Sequence, residues 1–162
     1  MGRAKFLYMN TTNVILDKLR ALLFTQRFAV LATTGGGEPH ASLVAFVVMP
    51  ELKEMVFATA RATRKFANLR EQPMAAMLVD DRGNRAADVQ DATAVTAMGT
   101  VTELTGAVRT AAVRQFLDKH PELADFLAAP TTSVCGLTVA RYQVVDQFQR
   151  VTVLEMGNAD CE

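Results

Sequence analysis

Residues 28–48 read FAVLATTGGGEPHASLVAFVV, and the alternation of side chains along this stretch decides the architecture. Phe28 to Thr34 has the composition of a strand, and Gly35-Gly36-Gly37 can reverse the chain because glycine tolerates positive φ. Pro39 to Val48 then returns as a second strand. It begins half polar, with His40 and Ser42 on one face and Ala41 and Leu43 on the other. From Val44 to Val48 both faces are apolar. An antiparallel strand with one wet face keeps alternating, so the loss of alternation predicts a cover on both faces. Beyond the chain's own core, the expected cover is a partner subunit or a flat ligand.

Upstream, Asn10-Thr11-Thr12-Asn13 supplies capping residues before Ile15, Leu16, Leu19, Leu22 and Leu23, which recur at helical spacing. Downstream, Met55 to Thr59 reads as a third strand and Thr63 as the cap of a short helix through Glu71. Pro73 stops that helix and Met74 to Val79 forms a fourth strand. Asp80 to Asp91 is a polar loop, and Thr93 to Leu104 a fifth strand in which Gly99 marks a bulge. Thr105 opens a helix with Val108, Ala112, Phe116 and Leu117 on one side, ended by His120-Pro121, and a short helix follows to Ala128. Two strands, Gly136 to Val145 and Phe148 to Leu154, precede a polar tail over 156–162. Sequential hairpins with few crossover helices argue for a mainly β, antiparallel barrel of six or seven strands with helices outside, not a parallel sheet. With no internal repeat or linker, residues 1–162 are expected to form a single domain.

The composition narrows the function. At 162 residues with 50% hydrophobic content the chain can bury a substantial core. A formal net charge of zero lacks the positive field on which nucleic-acid and anionic-membrane binding rely. The longest apolar run, Leu43 to Pro50, suits a buried strand rather than a membrane span. The N-terminus lacks the pattern of a secretory signal, and Phe6 stands where a myristoylation site needs Ser or Thr, so a cytoplasmic location is expected. Cys135 and Cys161 make neither a disulfide framework nor a zinc cluster, and His40 and His120 are isolated, so no metal site is expected.

The chemistry concentrates in residues 57–73, FATARATRKFANLREQP. A strand ends at Thr59, a short link follows, and Thr63-Arg64-Lys65 opens a helix. A helix start presents unpaired N–H groups and the positive end of the dipole, and so favours an anion. The Thr63 hydroxyl is a further donor, the Arg64 fork matches two phosphate oxygens, and Lys65 adds a point charge. With Arg61 nearby the set suits a terminal phosphate; a solvated surface helix carries the same charges.

This segment resembles the phosphate-binding motif of the pyridoxamine-phosphate-oxidase-like family, in which a strand ending in Thr precedes Ser/Thr-Arg-Lys and an apolar helix. The hairpin FAVLATTGGGEPHASLVAF and the strand AVTAMGTVTEL resemble the family's opening hairpin and fifth strand, so the likeness runs from Phe28 to Leu104. It implies an FMN-binding, Greek-key split β-barrel. It also implies that Thr63, Arg64 and Lys65 hold the FMN phosphate. Ser42, Leu43, Val44, Ala45, Phe46 and Val47 would line the flavin, largely through backbone groups, with Ala58 and Thr59 beside the ring. A homodimer with FMN at the subunit interface is implied, as is an oxidoreductase of unnamed substrate.

The chain departs from the oxidase itself. Ser42 stands where the family usually has Arg, Ala94 where the oxidase has Gln, and the chain has no Trp. QFQRVTV, residues 147–153, lacks the oxidase's Arg-x-His substrate motif. Oxidation of pyridoxamine phosphate is therefore not expected. A non-catalytic FMN carrier or sensor, a haem protein and a deazaflavin protein are the alternatives on the same barrel, and the three residues at Thr63 favour the single phosphate of FMN.

Four other features have plainer readings. His40 is expected as a half-exposed strand residue, and His120 as a helix-end residue favoured by the C-terminal dipole. Arg82, Asn84 and Arg85 could reach a ligand, but salt bridges within their Asp-rich loop are the simpler account. Cys135 and Met74, Met77 and Met98 read as core residues.

Overall fold

The computed structural model describes residues 2–157, with side chains described from Thr12 onward. Cys161, the tail from 158 and the side chain of Phe6 lie outside the described residues. Helix α1 (Gly2–Thr25) leads into β1 (Phe28–Gly35), β2 (Glu38–Val48), β3 (Glu54–Ala60), α2 (Arg64–Glu71) and β4 (Met74–Asp80). A short α3 (Asp88–Asp91) then precedes β5 (Ala94–Glu103) and α4 (Gly106–Lys119). A 3₁₀ turn (Pro121–Leu123), α5 (Ala124–Ala128), β6 (Thr132–Asp146) and β7 (Arg150–Glu155) complete the order. Among the described residues no helix is long and apolar enough to cross a membrane.

The strands follow the order β3-β2-β1-β4-β5-β6-β7, all neighbours antiparallel, and β3 also pairs with β6. The result is a closed six-strand barrel with β7 as an extra strand, as the hairpin order predicts. Gly36 and Gly37, at φ 59° and 79°, make the tight turn of the first hairpin. The register slips between Met98 and Gly99, the expected bulge. A Cβ at Gly99 would lie 1.9 Å from the Thr138 carbonyl oxygen, so only glycine fits there.

The stretch read as a loop over 80–91 ends in the one-turn helix α3, and three boundaries also differ from the sequence reading. Asn10 to Asn13 lie inside α1 rather than capping it, because the preceding residues themselves continue the helix. β6 starts at Thr132, since its first half closes the barrel against Glu54–Ala60. Phe148 sits in a turn, not in β7: Gln147, Phe148 and Gln149 all have positive φ.

Two apolar clusters hold the fold. Inside the barrel Leu31, Phe46, Phe57, Met77, Leu137 and Tyr142 meet Leu19 and Leu23 of α1, all fully buried. Outside it, Val47, Val56 and Val134 pack under Ala112 and Phe116 of α4 and Leu127 of α5. This corrects the expectation drawn from the doubly apolar β2. At Val47 the second face is covered by the chain's own helices, and only Leu43 and Ala45 remain for another cover. Val108 is also corrected, being exposed on α4. Cys135 and Met77 are buried as expected; Met74 is exposed and Met98 half-buried.

Among the described residues nothing covers the opposite outer surface. The register aligns Leu43, Val30, Leu78, Thr96, Gln143 and Val153 in one row across six strands. Beside it runs Ala41, Ala32, Ala76, Met98, Arg141 and Glu155. None of these residues is buried, and Leu43 and Val153 are more than half exposed.

Candidate functional site

β2 and β3 pair only over Phe46–Val48 and Met55–Phe57, then diverge, β2 following β1 and β3 following β6. The Phe46 N–H donates to the Arg27 carbonyl at 3.3 Å, so Phe46 turns its backbone toward β1. Antiparallel alternation then turns the N–H and C=O of Leu43 and Ala45 into the gap. The gap widens into an open cleft of about 410 Å³. Leu43, Val44 and Ala45 form one wall, and Ala58, Thr59 and Ala60 the other. Thr63 and Lys65 stand at one end, while Phe28, Phe116, Leu123 and Phe126 complete its apolar part.

The polar end is built by α2. Thr63 is its cap, with extended φ −92° and ψ 152°, and its hydroxyl accepts from the Phe66 N–H at 3.4 Å. That hydroxyl donates to the Ala60 carbonyl at 2.9 Å and lies 2.9 Å from the Thr59 hydroxyl. In this arrangement the Thr63 hydroxyl is directed at the Ala60 carbonyl rather than into the cleft. Phe66 N–H bonds to the cap and Ala67 N–H to the Thr63 carbonyl, so the N–H groups of Arg64 and Lys65 are the ones left at the helix start.

The cations are distributed unequally. Lys65 lines the cleft, and among the described residues it has no ion-pair partner. Arg64 does not line it; its guanidinium holds Glu38 at 2.7 Å on the surface. Arg61 pairs with Glu103 through both terminal nitrogens and lies over the Phe66 ring. The hydrogen bonds from Arg61 hold the Glu103 carboxyl below its ordinary range.

The remaining β2 positions divide by parity. Phe46 is fully buried in the barrel and Val47 lies under α4, so neither side chain reaches the cleft. Ser42 is not among the lining residues, yet its hydroxyl is buried without a hydrogen-bond partner. A buried orphan hydroxyl is uncommon in a finished site and is a polar group for a ligand to satisfy.

His120 ends α4, as expected, standing as its C-cap. The sequence did not signal that it is also fully buried. Its Nε2–H donates to the Phe46 carbonyl at 2.9 Å, and its Nδ1 accepts from Arg27 Nη2 at 3.4 Å. Its ring packs on Phe116 with centroids 4.9 Å apart. Arg27 also holds Glu122 at 2.5 Å. This network fastens the β2 wall to the helices that carry Phe116, Leu123 and Phe126. Beside it Lys119 donates to the Leu23 carbonyl at 3.1 Å, and burial followed by the Arg27 charge lowers its amine to about 8. No local motif signals these partners, because they come from segments more than 70 residues apart.

Other candidates lie elsewhere. His40 is half-exposed, as expected, and outside the cleft. Arg82 pairs with Asp80 and Arg85 with Asp88, the simpler of the readings for that loop. Among the described residues no three or more His, Cys, Asp or Glu side chains come together to hold a metal. The cleft lining holds no carboxylate and no histidine, so it offers anion binding and apolar enclosure rather than an acid–base pair.

The structure resembles that of a heme binding protein from Mycobacterium smegmatis, with a TM-score of 0.76 and 22% identity over 85% of this chain. This chain spans 56% of that protein's length. General Stress Protein 26 from Bacillus anthracis matches with a TM-score of 0.68 and 15% identity, over 88% of this chain and 98% of its own. A FAD-binding protein from Mesorhizobium loti matches with a TM-score of 0.61 and 14% identity, over 78% of this chain and 91% of its own. At these identities the likeness is one of fold. No curated protein matches the sequence. Residues 15–146, which include every strand of the closed barrel and all of the cleft, match the model of the pyridoxamine 5'-phosphate oxidase family, and the chain belongs to that family.

Proposed function

We propose that this chain is an FMN-binding oxidoreductase that works as a cytoplasmic homodimer, with the flavin in the β2–β3 cleft. The observation that carries the reading is the juxtaposition of Lys65, without an ion-pair partner among the described residues, and the N–H groups of Arg64 and Lys65 with the open backbone edges of Leu43 and Ala45. Such a site matches a long ligand with a terminal phosphate and a flat ring of polar edge. Lys65 and the N–H groups of Arg64 and Lys65 would hold the phosphate, with Arg64 as an outer charge. Leu43 and Ala45 would meet the ring edge, and Val44, Ala58 and Thr59 would lie beside it, while Ser42 would contribute through its place in β2. Phe46 and Val47 would act by shaping β2 rather than by touching the ligand. FMN, when bound, supplies a reversible acceptor of hydride or single electrons, so the protein's task is to bind, orient and exclude water.

The apolar part of the uncovered rows, Leu43, Val30 and Leu78 beside Ala41, Ala32, Ala76 and Met98, favours a second copy as its cover, since a contiguous unburied apolar patch marks an interface. Leu43 belongs both to those rows and to the cleft, which would bring the flavin to the subunit boundary. A haem reading is disfavoured by the absence of histidine from the cleft lining.

The test compares FMN and riboflavin binding by flavin fluorescence in wild type, Lys65→Ala and Arg64→Ala. Loss of one charge-assisted phosphate contact, about 1.5–3 kcal/mol, predicts roughly 10- to 100-fold weaker FMN binding by Lys65→Ala. Riboflavin binding should be unchanged, and Arg64→Ala, whose charge is already paired, should have the smaller effect. Equal weakening of both ligands, or no FMN uptake by wild type, overturns the reading. Reduction of the bound flavin by NADH or NADPH then separates an oxidoreductase from a carrier.

A further inference from the structure

A second concavity, of about 360 Å³, lies between the first turns of α4 and the β2–β3 hairpin. Ala107, Val108, Ala111 and Ala112 form its helical side, Met49 and Glu54 its strand side, and Gln115 one margin. It is separate from the flavin cleft. Glu54 and Ala58 share the outer face of β3 four residues apart, roughly 13 Å, with Val56 and its buried cluster between them.

Glu54 is the unusual member. Its side chain is half-buried, and among the described residues it has no hydrogen bond and no ion pair. The other acids placed against the barrel are compensated: Asp146 by Lys18 and Arg150, Glu103 by Arg61. Burial raises the Glu54 carboxyl above its ordinary range, and no nearby cation counters it. The fold also makes room for the group. A Cβ at Gly136 would lie 2.2 Å from Glu54 Oε1, so glycine there leaves the carboxylate its place over the strand. An uncompensated carboxylate at the edge of an apolar groove is an arrangement that a cation completes.

We propose that this groove binds small organic cations, an ammonium group resting on Glu54 and its apolar body lying along Ala107, Val108 and Ala111. The alanines set the width: their methyls leave a channel that a larger side chain on α4 would fill. A neutral alcohol of the same shape lacks the charge that Glu54 selects, and a carboxylate of that shape is repelled.

The experiment titrates the full chain with hexylammonium, hexanol and hexanoate, following the alanine methyl resonances by NMR. Hexylammonium should give saturable shifts at Ala107 and Ala111, with hexanol much weaker and hexanoate silent. Glu54→Gln should weaken hexylammonium at least tenfold and raise the Tm of the free protein, because it removes an uncompensated charge. Ala111→Leu fills the groove from an exposed helix position and should abolish binding with the fold intact. No saturable shift, equal binding of hexanol and hexylammonium, or wild-type affinity in either variant overturns the proposal. Flavin binding enters none of these readouts, so failure here leaves the FMN reading standing, and the reverse.

Discussion

Replacing Asp146 by Asn tests how the ends of the barrel are tied together. Lys18 of α1 donates to Asp146 Oδ2 at 2.5 Å, and Arg150 Nε and Nη2 reach its two oxygens at 2.8 Å each. The bonds from Arg150, then those from Lys18, lower the carboxyl from 3.8 to about 2. At about 1.4 kcal/mol per pKa unit that difference would correspond to roughly 2.5 kcal/mol. The side chains of Lys18 and Arg150 are 35% and 51% exposed, however, so water screens both partners. We therefore expect about 1–2 kcal/mol. The sign follows from the direction of the shift. A carboxyl whose folded pKa is depressed stabilises the fold above its unfolded value and loses that contribution as pH falls through the folded one. Urea denaturation of wild type and Asp146→Asn should thus differ by this amount at pH 7. The gap should narrow between pH 4 and pH 2. No difference at pH 7 would refute the argument, and so would a difference that stays constant down to pH 2, since an amide and a protonated acid are then equivalent in charge.

Two further outcomes follow from the same geometry. Tyr142 is fully buried and its hydroxyl donates to the Leu52 carbonyl at 2.7 Å, so Tyr142→Phe should lower stability by about 1–2 kcal/mol in thermal or urea unfolding. A variant as stable as wild type would mean that this bond contributes nothing net. Val153→Glu places a charge in the uncovered row, far from the cleft, and should convert a dimer to monomer in sedimentation velocity while leaving FMN binding per chain measurable. Unchanged sedimentation would remove that face as the interface.

The barrel was legible because strand periodicity is local: each strand, the Gly36–Gly37 turn, the bulge at Gly99 and the Thr63 cap announce themselves within a few residues. The start of α2 was legible for the same reason. What stayed hidden depends on distant partners. That Arg64 rather than Lys65 would be neutralised depends on Glu38, which the hairpin brings within reach from 26 positions away. The cover over Val47 comes from α4, and the anchoring of β2 by His120 joins residues 74 positions apart. A histidine before a proline looks the same in sequence whether it caps a helix in water or fixes a wall of a cleft. The start of β6 was missed because Thr132 to Cys135 becomes strand only by pairing with β3.

That pairing governs when the protein can exist as well as how it holds. Glu54–Ala60 must wait for Thr132–Thr138, some 78 residues later in synthesis, before the barrel can close. Until then β3 and β5 each lack the partner that β6 gives them, so one edge of each is unsatisfied. β6 supplies both partners at once, through its two edges. Both edges that could pair with a neighbouring chain are thus closed by a single late strand.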